Sequence, residues 1–296
     1  MKLKQRTACP VCASASFSPF MEGSVDPQNL KTEDFKITDS RYGSRWSFQQ
    51  CDHCSFVFSN PCLHEDAVVE FYSQLEDQEY SSEAEGRGKN FKTILKRMSA
   101  IHTPDSTLLD IGAASGIFMN EALGLGYDVT GLEPSEFLVK EAKRLYGLNI
   151  EQGTIENLDD TRTFSTITCL DIIEHLVEPD DFMKRVSRVI KPGGLLVVVT
   201  PDIGSLASRL AGKRWWHYRI AHLNFFNLRS LKHLLEKHGF EIIKKKRYTW
   251  NFSAFYLATR IFPSLNNKKA LQTFLKKINF KLQFFDSWEI YAAKKN

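Results

Sequence analysis

The stretch Thr107–Phe118 reads Thr-Leu-Leu-Asp-Ile-Gly-Ala-Ala-Ser-Gly-Ile-Phe, and it decides the fold. Its apolar first half, which stops at Gly112, is typical of a buried parallel strand. Gly112 and Gly116 allow the next turn to be tight and to approach a ligand closely. Asp110 stands two residues before the first glycine. The pattern predicts a strand, a ligand-binding turn and a helix.

A second acid follows the next apolar strand. The strand Tyr127–Leu132 ends at Glu133. A carboxylate at the tip of the second strand of such a unit is placed to hold ribose hydroxyls. The sequence therefore predicts a nucleoside site between the glycine turn and Glu133.

Composition and charge narrow the class of protein. The chain has 296 residues, of which 43% are hydrophobic and 25% charged, as in soluble globular proteins. No apolar run is long enough for a bilayer, and the first residues lack a secretion signal, so we expect a cytoplasmic location. Residues 1–87 hold 8 Lys or Arg against 14 Asp or Glu, whereas residues 241–296 hold 12 against 3. The acidic front disfavours nucleic acid as a partner.

Four of the six cysteines form two pairs with the same spacing, Cys9-Pro-Val-Cys12 and Cys51-Asp-His-Cys54. Four thiolates in two such pairs suit the closed tetrahedral site of a structural Zn²⁺ ion. The 38 residues between the pairs favour a strand-rich ribbon over a helical finger.

Other interpretations of the cysteines remain open at this point. A redox pair would need an adjacent βαβ unit, and disulfides would conflict with a cytoplasmic location. His53 or His64 could replace one thiolate as a ligand. Cys62 and Cys169 have the surroundings of ordinary small buried residues.

From Lys89 onwards, apolar strands alternate with amphipathic helices, which predicts an α/β domain with a doubly wound parallel sheet. The predicted strands are Thr107–Ile111, Tyr127–Leu132, Leu148–Gln152, Thr166–Leu170, Leu195–Thr200, Phe240–Tyr248 and Ser287–Ala293. The predicted helices are Phe91–Ile101, Ile117–Leu125, Pro134–Tyr146, Phe182–Ile190 and one capped by Asn227 and stopped by Gly239. We expect a zinc-ribbon-like domain at 1–66, a second domain at 67–296, and a helical insertion at 251–286.

The glycine turn resembles the first motif of the class I S-adenosylmethionine-dependent methyltransferases, acid-x-Gly-x-Gly-x-Gly. Asp110, Gly112 and Gly116 match it, and Ala114 replaces the middle glycine. The dinucleotide fingerprint Gly-x-Gly-x-x-Gly would instead require glycine at Ala114 and Ile117, so it fails at two of its three positions.

Further segments resemble the same family in the expected order. Gly131-Leu-Glu133-Pro-Ser is similar to its ribose-binding strand end, and Gly153-Thr154-Ile-Glu156 to the loop that frames adenine. Asp171-Ile-Ile-Glu174-His175 is similar to a stretch of the ubiquinone-pathway O-methyltransferases, and the turn Lys191-Pro-Gly-Gly194 also fits. The resemblance implies a seven-stranded Rossmann-like sheet, in which the last strand lies antiparallel between the fifth and the sixth, and S-adenosylmethionine as cofactor. The cofactor-binding residues that it implies are Asp110, Gly112, Ala114, Gly116, Glu133, Pro134, Thr154, Glu156 and Asp171.

The two cysteine pairs in front of this domain resemble those of zinc-containing methyltransferases of sugar, polysaccharide or other secondary biosynthesis. That resemblance implies a small-molecule acceptor, such as a sugar, polysaccharide or lipid-linked intermediate. It does not specify whether oxygen, nitrogen or carbon receives the methyl group, nor the oligomeric state.

Two histidines are candidate catalytic residues. His175 follows the fourth strand at the edge where α/β sheets bind ligands, and could remove a proton from an acceptor hydroxyl. His222 lies in an aromatic loop, Trp215–Phe226, that has the composition of a small-molecule pocket. Local hydrogen bonding for His175 and core packing for the loop are the competing interpretations. Tyr72 and Tyr80 would either cover the bound methyl donor or only pack against the rest of the domain.

The tail between the last two strands has apolar residues at helical spacing. Leu271, Phe274, Leu275, Ile278, Leu282 and Phe285 would share one face of a helix. This helix would either pack over the acceptor site or make a peripheral membrane contact through residues 266–285.

The sequence thus favours a small-molecule methyltransferase with structural zinc. Two alternatives remain, a non-catalytic zinc-ribbon binding module with a relic methyltransferase domain, and a nucleic-acid methyltransferase.

Overall fold

The computed structural model describes residues 3–36, 44–77, 80, 84–101, 103–261, 275 and 278–295. In the front part the strands are β1 (Leu3–Lys4), β2 (Phe17–Met21), β3 (Phe48–Cys51), β4 (Val57–Ser59) and β5 (Cys62–Leu63). Two helices follow, α1 (Glu65–Ser73) and α2 (Ala84–Met98). The front is therefore strand-rich, as the spacing of the cysteine pairs indicated.

Strands and helices then alternate along the chain. They are β6 (Thr107–Ile111), α3 (Ile117–Leu123), β7 (Asp128–Glu133), α4 (Glu136–Tyr146), β8 (Glu151–Gln152), β9 (Phe164–Leu170), α5 (Pro179–Val189), β10 (Ile190–Pro201), α6 (Leu206–Ala211), β11 (Asn224–Phe225), α7 (Leu228–Lys237), β12 (Phe240–Arg247), β13 (Trp250–Ser253), α8 (Ala254–Ile261), β14 (Asn279–Leu282) and β15 (Ser287–Lys294).

Seven of these strands form the central sheet, in the order β12-β15-β10-β9-β6-β7-β8. Strands β6 to β10 pair in parallel, and β15 lies antiparallel between β10 and β12, as predicted. Neighbours β7 and β9 lie on opposite sides of β6, so the connections diverge beside β6. Open α/β sheets bind ligands at this point, outside the carboxyl ends of the strands. The predicted doubly wound Rossmann-like sheet is confirmed.

A second sheet of four strands contains the front of the chain and has the order β11-β4-β3-β2. Its edge strand β11 comes from far along the chain, and the Ser59 N–H adds a hydrogen bond to Leu223 O at 2.8 Å. Aromatic side chains from both regions pack together beneath it, with Phe225 against Phe48 at 5.2 Å and against Tyr218 at 5.2 Å between ring centroids. The front sheet and the loop after β10 are therefore one packed unit.

Several element boundaries differ from the sequence prediction. Helix α2 begins at Ala84, before the predicted Phe91, and β8 contains only Glu151–Gln152. The predicted turn at Lys191–Gly194 is an irregular part of β10, with a register shift between Ile190 and Leu195. The shift lets the strand pass from its pairing at Phe164 to its pairing at Thr166 without leaving the sheet.

The helical stripe predicted in the tail is wrong at Leu282 and Phe285, whereas Leu275 is helical. Leu282 belongs to β14, which pairs antiparallel with β13, and Phe285 lies in a loop with a positive φ of 57°. Backbone pairing with Trp250–Ser253 overrides the helical spacing there, because strand pairing depends on a distant partner that periodicity does not reveal. Leu271 and Phe274 lie outside the described residues. Within 266–281, the first part of the predicted membrane contact, the structure describes residues 275 and 278–281.

Candidate functional site

The glycine turn between β6 and α3 adopts backbone angles that favour glycine. Gly112 has φ +74°, and a Cβ there would lie 2.1 Å from Ile172 Cδ1. Gly116 has φ +77°, and a Cβ there would lie 2.7 Å from Leu148 Cδ1. The amides of Gly112 and Ala113 both donate to Leu132 O at 2.9 Å, which draws the turn onto β7. The two hydrogen bonds thus hold the turn against the end of β7, and neither glycine position has room for a side chain.

Glu133 closes this end of the site. Its Oε2 accepts from the Ala114 N–H at 2.9 Å, and its Oε1 accepts from the Ser135 N–H at 2.9 Å. Burial raises the pKa of Glu133 to about 7, although both backbone amides favour the ionised form. The carboxylate is fixed in orientation, and each oxygen keeps a lone pair for a ligand hydroxyl.

Asp110 lies beneath the turn and does not line the cavity. Its Oδ1 accepts from Thr168 Oγ1 at 2.6 Å, a hydrogen bond between neighbouring strands β6 and β9. Burial raises its pKa to about 7. Asp110 therefore supports the turn from below.

A cavity of about 460 Å³ runs from the glycine turn to the loop after β10. Among the residues singled out from the sequence, those that line it are Gly112, Ala114, Glu133, Pro134, Thr154, Glu156, Asp171, Tyr72, Tyr80, His175 and His222. Gly116 does not, because it lies under the start of α3. One cavity thus brings together the residues expected to hold a cofactor and both candidate histidines.

His175 is held by two neighbours on the same ring nitrogen. Its Nδ1 lies 2.9 Å from Ala221 O and 2.7 Å from Tyr72 Oη. Because the Ala221 carbonyl can only accept, Nδ1 carries the proton in this arrangement, and the Tyr72 oxygen accepts from it as well. Burial lowers the pKa of His175 to about 4, so the ring is neutral near pH 7 with its lone pair on Nε2.

Backbone hydrogen bonds to Glu174 bring His222 next to His175. The Glu174 carbonyl accepts from the amides of Leu223 and Asn224, at 2.9 and 3.0 Å, which brings the loop after β10 against the end of β9. The ring centroids of His175 and His222 are then 4.7 Å apart. Burial also lowers the pKa of His222, and its Nδ1 has no hydrogen-bond partner among the described residues. Two neutral imidazoles therefore face the same part of the cavity.

A family model described as a methyltransferase domain matches residues 83–245, which is more than half of the chain. The chain belongs to this methyltransferase family. The crystal structure of a SAM-dependent methyltransferase from Archaeoglobus fulgidus covers 74% of this chain and 100% of its own, with 19% identity and a TM-score of 0.51. That likeness shows the fold.

Curated relatives match a shorter stretch of the chain. A ubiquinone biosynthesis O-methyltransferase of Bradyrhizobium sp. (strain ORS 278) is 33% identical over 102 residues, which are 31% of this chain and 39% of that protein. The mitochondrial enzyme of the same name from Schizosaccharomyces pombe is 33% identical over 101 residues, 31% of this chain and 37% of that protein. The chain thus spans about two fifths of the length of these relatives.

Sequence reasoning missed several residues that line the cavity. Arg87 and Arg219 line the cavity, and both oppose the burial that raises the pKa of Asp171 to about 7. Asp171 itself has a positive φ of 57°, a conformation uncommon for aspartate. Arg219 stood within the aromatic loop that the sequence indicated, so it could have been found there. Arg87 had no signal, since it reaches the site only through the packing of α2.

The four paired cysteines converge at one end of the front sheet. Cys9 Sγ lies 3.7 Å from Cys54 Sγ, and Cys12 Sγ lies 3.4 Å from Cys51 Sγ. All four sulfurs lie within 4.8 Å of one another. A hydrogen bond from Cys54 lowers the pKa of Cys9 to about 5, whereas burial raises that of Cys12 to about 11. Cys62 and Cys169 are buried elsewhere, as expected.

Among the described residues, none of the helices is both long and apolar enough to cross a membrane.

Proposed function

We propose that the protein is an S-adenosylmethionine-dependent methyltransferase that acts on a small-molecule acceptor. The observation that carries the proposal is the single cavity that joins Glu133 and the glycine turn to His175 and His222. Bound S-adenosylmethionine supplies a methyl group on a sulfonium, which leaves by in-line displacement and needs mainly alignment and exclusion of water.

The cofactor end of the cavity fits this donor. Glu133 offers two oriented oxygens to the ribose hydroxyls, and the absence of side chains at Gly112 lets the turn approach closely. Pro134, Thr154 and Glu156 would border the base. Asp171 would hold the charged part of the donor near the centre of the cavity. Asp110 and Gly116 would act beneath the surface by fixing the turn.

The acceptor end fits a hydroxyl compound with an apolar part. His175 would take the hydroxyl proton at Nε2, and its Nδ1–H would remain bonded to the Ala221 carbonyl, which stabilises the imidazolium. His222 would position the acceptor. Aromatic side chains line the cavity as well, including Trp216, Trp250 and Phe252. The name of the curated relatives, which are O-methyltransferases, supports oxygen as the atom that is methylated.

Titration calorimetry with S-adenosylmethionine tests the proposal directly. We expect one donor molecule per chain with micromolar affinity, and a marked loss of affinity in Glu133→Ala. The variant Glu136→Ala is a matched control, because this glutamate lies on the exposed face of α4. If the wild-type protein shows no binding at high micromolar donor, the fold is used for binding something else and the enzyme proposal is wrong.

We further propose that the four cysteines hold a structural Zn²⁺ ion. Zn–S bonds of about 2.3 Å in a tetrahedron place the sulfurs about 3.8 Å apart, close to the two Sγ–Sγ distances of the cluster. A divalent cation would also allow all four thiols to ionise, which their mutual proximity otherwise opposes. On this basis residues 1–66 form a zinc-ribbon-like domain and residues 67–296 the methyltransferase domain, with β11 extending the front sheet.

A further inference from the structure

Two leucines on α6 are more exposed than apolar side chains of their size usually are. Leu206 is 71% exposed and Leu210 is 80% exposed, the highest fractions among the large apolar side chains that the structure describes. They are four residues apart, so they project from the same side of the helix. Single exposed leucines need no explanation, but a pair on one short helix with cations around it indicates a contact surface.

The chain continues from α6 into aromatic side chains at the cavity. Helix α6 leads through the turn Gly212–Arg214 to Trp216, whose ring lies 5.1 Å from that of Phe284. Phe284 is 39% exposed and Phe285 is 59% exposed. We call the five residues Leu206, Leu210, Trp216, Phe284 and Phe285 the rim, because Trp216 and Phe284 also line the cavity.

The charged side chains exposed beside the rim leucines are positive. Residues 203–235, which contain α6, hold six Lys or Arg and no Asp or Glu. Arg209, Lys213 and Arg214 are exposed directly beside the leucines of α6, and Lys281 is exposed just before the phenylalanines. The rim therefore combines apolar tips with a positive surrounding.

We propose that the rim is a membrane-docking surface that inserts its apolar tips among the headgroups of an anionic lipid bilayer. Leucine and phenylalanine flanked by lysine and arginine are the composition of protein segments that lie in the membrane interface. Arg209, Lys213, Arg214 and Lys281 supply the attraction to anionic lipid, which acts within a Debye length of the surface. Two cavity-lining side chains belong to the rim, so docking brings the cavity next to the lipid.

Docking by itself does not depend on catalysis. Docking would also let an acceptor with an apolar tail pass from the bilayer to His175 without crossing water, and this consequence rests on the proposed function. The acceptor class that follows is a lipid-soluble or lipid-linked hydroxyl compound, which also agrees with the aromatic walls of the cavity.

Vesicle co-sedimentation tests the docking surface. The full chain is mixed with vesicles of phosphatidylcholine alone, or of phosphatidylcholine with 30 mol% phosphatidylglycerol (about one anionic lipid in three, a strongly anionic surface). We expect binding to the anionic vesicles that weakens at least tenfold in Leu206→Ser/Leu210→Ser. Arg209→Gln/Lys213→Gln/Arg214→Gln should weaken it similarly and remove most of its salt dependence.

The matched control is Leu123→Ser/Leu125→Ser, which changes two exposed leucines at the end of α3 and in the turn before β7, on the side of the sheet opposite the cavity. This control should bind vesicles as the wild type does. The calorimetric affinity for S-adenosylmethionine should be the same in all variants, so a failure of docking is distinguishable from a failure of the proposed function.

Three results would overturn the docking proposal. One is wild-type protein that stays in the supernatant with anionic vesicles, and another is equal loss of binding in the rim variant and the control. The third is a concentration-dependent dimer in light scattering that Leu206→Ser/Leu210→Ser abolishes without any vesicle binding, which would make the rim a contact between two copies of the chain.

Discussion

In the ring of His175, Nδ1 is hydrogen-bonded to the protein, and in our proposal Nε2 binds the acceptor hydroxyl. Nδ1 donates to Ala221 O, and burial holds the pKa near 4. Replacing His175 with Ala should lower turnover by about 10²- to 10⁴-fold, the usual contribution of a general base, and leave donor affinity unchanged. Since the neutral ring is the base, turnover carried by His175 should stay flat as the pH falls from 8 to 6.

Steady-state kinetics over this pH range measures the effect. Tyr72→Phe is the control, because it removes one of two partners of Nδ1 and leaves the Ala221 carbonyl in place. It should lose far less turnover than His175→Ala. Undiminished turnover in His175→Ala would remove this histidine from the mechanism.

The carboxyl group of Glu133 should make the affinity for the methyl donor depend on pH. Burial raises its pKa to about 7 in the unliganded protein, so it gains a proton as the pH falls through 7. A protonated carboxyl accepts ribose hydroxyls more weakly, and donor affinity should fall about tenfold from pH 8 to pH 6. Calorimetry at several pH values should show this slope in the wild type and a flat, weaker affinity in Glu133→Gln. A slope that persists in Glu133→Gln would assign the titration to another group, such as Asp171 with its similarly raised pKa.

Among the elements, α7 connects the two parts of the chain through its cap. Asn227 Oδ1 accepts from the Ser230 N–H at 2.9 Å, and Asn227 Nδ2 donates to Ser55 O at 2.9 Å in the front sheet region. Asn227→Ala removes both hydrogen bonds and should lower the free energy of unfolding by about 2 kcal/mol. Asn227→Ser keeps a capping oxygen but does not reach Ser55, and should lose about 1 kcal/mol. Urea unfolding measures both, and equal losses in the two variants would mean that the cap itself contributes nothing.

The molecule as a whole links the cysteine cluster to the candidate base. Strand β11 pairs with β4 of the front sheet, and it begins two residues after His222. Removing zinc with a chelator, or substituting Cys51→Ser, should lower the melting temperature by several degrees, because an engaged metal ion stabilises only the folded state. It should also lower turnover through His222, with donor affinity retained at the far end of the cavity.

Zinc content by mass spectrometry, thermal unfolding and donor calorimetry on the same preparation measure these three effects. Cys62→Ser is the matched control for Cys51→Ser, since Cys62 is buried outside the cluster. An unchanged melting temperature after complete removal of zinc would contradict a structural role for the ion.

Local pattern was sufficient for much of this architecture. The strand, turn and helix at Thr107–Phe118 follow from an apolar run and two glycines whose positive φ angles no larger residue adopts cheaply. The cysteine pairs were recognisable from their spacing alone, because two cysteines with two residues between them lie on one tight turn. The antiparallel place of β15 followed from the family resemblance.

Only the tertiary structure placed His222 beside His175, 47 residues away in the chain, because their proximity depends on the Glu174 carbonyl and the amides of Leu223 and Asn224. The strand β14 and the addition of β11 to the front sheet were hidden for the same reason. Periodicity reports which side of an element is buried, whereas pairing between distant segments is decided by which backbone groups meet when the chain is compact. The sequence by itself therefore determined the family and the glycine turn, and the fold decided which side chains line the cavity beside His175.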